Sequence, residues 1–158
     1  MSRRVDANNL LTATMEALVG RQAVVLDSTA TVLDAAKRMT AEGVSSILII
    51  EDNPEVPELP IIAGIMTDRD LRTRVIAPGL AYDTPVTAIM SAGVVTITYN
   101  QLVFEAMLAM LRGNVHHLPV MKNQRPLGIV ALSDIIRYES RNSLFVVGSI
   151  FRQQTVDE

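Results

Sequence analysis

A chain of 158 residues with a formal charge of −3 can bury one good core, or two small ones leaning on each other, but not two large independent domains. Hydrophobic residues make up 49% and aromatics only 4%, so the core must be aliphatic with methionine filler, a composition suited to buried strands covered by helices. The mild acidity speaks against a nucleic-acid backbone binder, and the absence of cysteine with only two histidines removes disulfides, thiolate nucleophiles and zinc clusters.

The amino-terminal MSRRVDANNLLTATMEALVG has a basic start but no continuous apolar core of the secretory kind, and no later stretch approaches membrane-spanning length. A lead-in helix over 1–19 of a cytoplasmic protein, without membrane contact, is the expectation. A short strand at Val24 to Leu26 comes next, followed by a helix whose Val32, Ala35, Ala36 and Met39 recur at helical spacing. Thr31 and Asp34 are spaced as its capping box, and Gly43 is its stop signal. The runs SSILII and IIAGIM read as a strand pair joined by the acidic, proline-rich loop EDNPEVPELP, with a closing helix from Thr67.

The same order then repeats. Val24 to Ile50 lies over Val95 to Met121 at a constant shift of 71 residues, which brings Val32 onto Val103, Asp34 onto Glu105, Met39 onto Met110 and Ala17-Leu18-Val19 onto Ala88-Ile89-Met90. The second copy has a strand at Val94 to Ile97, a helix from near Asn100 to Gly113-Asn114 with Val103, Ala106, Met107 and Met110 inward, strands HLPVM and PLGIV, and a closing helix from around Ser133. The methionines Met39, Met66, Met107 and Met110 fall at core spacing and read as filler. The fold class is α/β (α+β), two β-α-β-β-α units over 20–80 and 81–140, packed with pseudo-twofold symmetry, with 141–158 as an extension. A lone unit would leave a sheet face exposed; two copies cover each other, with clefts expected in pairs.

GIMTDRDL and GIVALSDI resemble the closing motif of the CBS domain: Gly, two apolar residues, Thr or Ser, two more residues, then Asp. The resemblance covers roughly Val19 to Ser140. The run from DAAKRMTAEGVSSILI through VFEAMLAMLRGNVHHLPV is similar to a bacterial group in which a tandem CBS pair sits between a cyclic-nucleotide-binding-like domain and a nucleotidyltransferase-like domain. The carboxyl-terminal RNSLFVVGSIFRQQTVDE fits the start of a connection to such a following domain, so an excised segment is the expectation.

The resemblance implies a regulatory module whose ligand is an adenine nucleotide or related adenosyl molecule, with no cofactor required. By position, Asp70 and Asp134 would hold the ribose hydroxyls, and Thr67 would lie near the sugar or phosphate. A carboxylate suits this task because two acceptor oxygens meet two adjacent hydroxyls in charge-assisted hydrogen bonds. Apolar walls from the strands, Val24, Val95 and Pro119 among them, would sandwich the base. His116 and His117 stand where relatives place basic residues toward phosphates, while the first copy has Ser45 and Ser46 there. Strand alternation turns such neighbours to opposite faces, so one histidine at most faces a given cleft. Arg69 and Arg137 gain only supporting weight, because charges on an amphipathic helix usually form a solvated face.

Local spacing by itself favours a plainer origin for Thr67 and Asp70, which are also an ordinary capping box. In the second copy Ala131 cannot cap, yet Asp134 remains, so the acid is expected to be more than the capping partner of a threonine; dipole stabilisation at the helix start competes with that explanation. Because only the first motif keeps its hydroxyl, nucleotide binding is expected to depend more on Asp70 than on Asp134. The rival function is a ligand-free dimerisation scaffold; an enzyme is disfavoured, since no nucleophile–base pair, metal cluster or paired carboxylate emerges. A homodimer is expected in either case, because the apolar helix faces exceed what one pair buries.

Overall fold

The computed structural model describes residues 11–141. A 3-10 turn at Met15–Leu18 stands where the described part of the lead-in helix was expected; residues 142–158 of the extension lie outside the described residues. The first copy runs β1 (Val25–Asp27), α1 (Val32–Glu42), β2 (Ser46–Glu51), β3 (Ile61–Thr67) and α2, which starts at Asp68–Asp70 and widens into a π-helix at Leu71–Ile76. The second runs β4 (Ile97–Thr98), α3 (Val103–Gly113), β5 (His117–Lys122), β6 (Arg125–Ala131) and α4 (132–141). Each copy forms its own three-stranded sheet, with the first pair parallel and the second antiparallel. Register shifts recur at Ile49/Ile50 and at Val120/Met121, so even the irregularity is duplicated.

The helix signals act as their chemistry dictates. Thr31 Oγ1 accepts from Asp34 N–H at 3.2 Å, Asp34 Oδ2 accepts from Thr31 N–H at 3.0 Å, and Gly43 ends α1 at φ 63°. Helix α3 starts three residues later than the sequence indicates, because Glu105 Oε2 accepts from Leu102 N–H at 2.8 Å and fixes the start there rather than at Asn100. Strands β1 and β4 also begin later than expected, since only Val25–Asp27 and Ile97–Thr98 find partners on β2 and β5. Met107, expected inward, is 36% exposed, while Val103, Ala106 and Met110 are buried.

Two cores form, one per copy, and each is completed by the segment leading into the other copy. Ala13 and Met15 are buried in the second core together with Val103, Leu118 and Val130. Val86 and Ile89 do the same in the first core beside Val32, Ile47 and Met66. The hydrogen bonds obey the same exchange. Val103 N–H donates to Ala13 O and Val32 N–H to Thr84 O, both at 2.9 Å; Met15 N–H donates to Gln101 O and Val86 N–H to Ala30 O, again at 2.9 Å. Each contact of a pair maps onto the other by the 71-residue shift and an exchange of copies, which is what pseudo-twofold packing requires.

Close approach explains the motif glycines. A Cβ on Gly128 would stand 2.5 Å from Val19 Cγ1 and 2.8 Å from Arg21 O, and one on Gly64 would stand 2.5 Å from Met90 Sδ. Without side chains there, β3 and β6 lie directly against the lead-in segments.

Candidate functional site

A cavity of about 670 Å³ opens where the lead-in to the first copy, the start of β2 and the β6–α4 junction meet. Its lining brings together Val24, Ser45, Ser46, His117 and Asp134 of the sequence candidates. It does not include Thr67, Asp70, Val95, His116 or Pro119. Pro119 is buried within β5 opposite Ile129, and Val95 packs against the second core. His116 is exposed and holds α4 through its carbonyl, which accepts from Leu132 N–H at 2.9 Å. The two histidines thus divide between surface and cavity, as strand alternation requires.

Asp134 sits on the first turn of α4, its side chain 36% exposed. Its Oδ2 accepts from Ala131 N–H at 2.8 Å, and Oδ1 lies 3.3 Å from Arg137. This corrects the inference drawn from Ala131: the carboxylate needs no threonine to cap, because it takes the backbone N–H of the N-cap residue directly. A capping role therefore accounts for an acid at this position in both copies, and only what lies around each acid separates them.

Around Asp70 the surroundings are full. Oδ2 accepts from Thr67 N–H at 2.9 Å and from Thr67 Oγ1 at 3.1 Å, Oδ1 lies 3.5 Å from Arg74, and the side chain is only 13% exposed. A shallower depression of about 440 Å³ lies between α1 and α2, adjoins the first cavity at Gly43, Val44 and Ser45, and reaches Asp68 but not Asp70.

The cavity also collects cationic residues. Arg21, Arg137 and Arg141 line it, with Arg21 tethered to Glu42 through the backbone oxygen at 2.7 Å and the carboxylate at 3.2 Å. Arg21, Tyr138 and Arg141 escaped the sequence reading, since nothing in their local spacing marks them; the alignment of GIMTDRDL on GIVALSDI, where the shorter second loop reduces the shift to 64 residues, places Tyr138 opposite Arg74 and was the available signal. His117 lies near the meeting of the two copies, its Nε2 3.3 Å from Ser45 Oγ. Burial holds its imidazole below the ordinary value, opposed mainly by the charge of Asp68. Among the described residues no cluster of three or more His, Asp or Glu side chains could hold a metal ion, and no helix is long and apolar enough to cross a membrane.

The CBS domain family model matches residues 15–77 and 86–141, one match for each of the two interlocked copies. The chain belongs to the CBS domain family. As a tandem CBS pair it is 34% identical over 117 residues to the CBS domain-containing protein CBSCBSPB2 of Arabidopsis thaliana, covering 73% of this chain and 20% of that protein. The chain thus spans about a fifth of the length of that curated relative. Among solved structures, a CBS domain protein from Pyrobaculum aerophilum complexed with AMP matches at 25% identity and a TM-score of 0.65, covering 77% of this chain and 89% of that one. A hexameric CBS-CP12 protein from bloom-forming cyanobacteria matches at 25% identity and a TM-score of 0.69, covering 78% and 66%.

Proposed function

We propose that this CBS pair is a regulatory module that takes an adenine nucleotide in the cavity beside Asp134 and communicates its occupancy to attached domains or partners, without catalysing a reaction. The observation behind the proposal is the cavity's lining: one accessible carboxylate, three arginines and an apolar wall of Leu18, Val24 and Ile129. Asp134 suits a pair of ribose hydroxyls, the guanidinium groups suit phosphates, and the apolar wall suits a purine face. The AMP complex of the Pyrobaculum protein supports the same ligand class. The Asp134–Arg137 pair is no obstacle, since Arg137 is 62% exposed and an exposed ion pair is readily exchanged for a better partner. This reading moves the greater weight from Asp70, favoured by sequence, to Asp134.

The regulated activity belongs in this proposal to attached domains, cyclic-nucleotide-binding-like and nucleotidyltransferase-like by the sequence resemblance. The hexameric cyanobacterial relative supports self-association, and the working unit proposed here is a homodimer.

A thermal-shift screen with AMP, ADP, ATP, adenosine and S-adenosylmethionine tests the ligand class, because a ligand that binds only the folded state raises the melting temperature. Asp134→Asn is the informative variant: an amide oxygen can still accept from Ala131 N–H, so the cap is kept while the charge is lost. Losing charge-assisted bonds worth about 1.5–3 kcal/mol weakens binding roughly ten- to a hundredfold. No shift with any of the five compounds would leave the ligand-free scaffold as the better account.

A further inference from the structure

The two clefts are built from related residues, yet one is open and the other is shut. In the open one, Leu18, Gly20 and Ile129 line the cavity, and among the described residues no backbone bridge joins Gly20 to Ile129. Of the related residues of the other cleft, Ile89, Ser91 and Ile65, the last two are joined. Ile65 N–H donates to Ser91 O at 3.0 Å and Ser91 N–H to Ile65 O at 2.9 Å, an antiparallel bridge that ties the linker backbone to β3 and brings it within reach of Arg74.

A side chain covers the cleft between the linker and Asp70. Arg74 stands where the second copy has the cavity-lining Tyr138. Its Nη1 donates to Ile89 O at 2.8 Å and lies 3.4 Å from Ser91 Oγ, while Nε faces Asp70 Oδ1 at 3.5 Å. One guanidinium therefore holds both the linker backbone and the carboxylate that a ribose would need. The helix carrying it is also unlike its counterpart: Leu71–Ile76 is a π-helix closed by Ala77 N–H on Arg72 O at 3.0 Å, whereas 132–141 is α-helical throughout. Wide turns of this kind commonly mark functional positions in helices.

We infer that Arg74 is a built-in occupant of the first cleft and sets the stoichiometry: the pair takes one nucleotide, at Asp134, and removing the Arg74 side chain unmasks a second site at Asp70. This rests on the adenine-nucleotide function proposed above. Calorimetric titration of the parent with AMP, ADP and ATP in turn is the test, with the stoichiometry read for the tightest of them. The parent should bind one equivalent per chain, and Arg74→Ala should bind two. In the Arg74→Ala background, Asp70→Asn should abolish the second equivalent alone and Asp134→Asn should weaken the first. Arg74→Tyr, which installs the residue of the open cleft, guards against poor folding of the alanine variant and should also bind two. Two equivalents on the parent, or one on both folded Arg74 variants, would overturn the stoichiometric role while leaving nucleotide binding intact. Failure of the parent to bind any of the three would overturn the nucleotide reading and this inference together.

Discussion

The two motif aspartates differ by their neighbours rather than by their own chemistry. Both cap a helix start, but Asp70 shares its oxygens with Thr67 and Arg74 in a closed setting, whereas Asp134 faces an open cavity beside an exposed arginine. The sequence made Asp70 look the better site because Thr67 completes its motif; in the structure that same hydroxyl serves the cap. His117 carries a pH prediction. Burial lowers its pKa from the ordinary 6.5, with His116 acting in the same direction and Asp68, Asp134 and Asp70 opposing. Between the folded and unfolded values the unfolded chain binds more protons, so stability rises with pH across that window. The full contribution is present above 6.5 and falls away as the pH drops through that value toward the lower folded one. Melting temperatures of the parent should therefore fall more steeply from pH 7.5 to 5 than those of His117→Gln, whose amide can still reach toward Ser45 from the position of Nε2. Parallel curves would show that the imidazole is not the group titrating.

At the scale of elements, the exchange of lead-in segments has a direct energetic consequence. Met15 lies in a single 3-10 turn ahead of the first copy, yet it is fully buried in the core of the second, where it meets the packing of Ala106, Leu118 and Val130. A Met→Ala change at such a site loses transfer free energy and leaves a cavity, about 2–5 kcal/mol. Met15→Ala should thus destabilise the protein by that order in urea denaturation, with protection against amide exchange reduced first in the second copy, around β5 and β6. A loss confined to the first copy would contradict the exchanged packing. The helices themselves were readable because their signals are local: Thr31 with Asp34, Gly43 and Asn114 act within one or two turns of the residues they cap or end. The late start of α3 was missed because Glu105, rather than an N-cap side chain, defines it.

For the molecule as a whole, the apolar surface left after both cores are filled lies partly along α3, where Phe104, Met107 and Leu111 are 44%, 36% and 78% exposed at helical spacing. Such a stripe on a folded unit marks an association surface, and the proposed homodimer would cover it. Sedimentation should give twice the chain mass, and Leu111→Glu should shift the equilibrium strongly toward monomer; a parent that stays monomeric at high concentration would contradict this proposal. Duplication, the order of strands and helices, the capping boxes and the aliphatic cores follow from the sequence itself, because periodicity and caps depend on residues a few positions apart and a repeat is visible as a constant shift. The exchange of lead-ins, the buried place of Pro119, the open cavity at Asp134 and the closed cleft at Asp70 were decided by tertiary structure alone. Each depends on residues brought together from distant parts of the chain: Met15 with Leu118, Ile65 with Ser91, Arg74 with Ile89, and Ser45 with His117. No local pattern records such meetings, because the free energy that selects them comes from packing and hydrogen bonds that exist only once both copies have folded against each other.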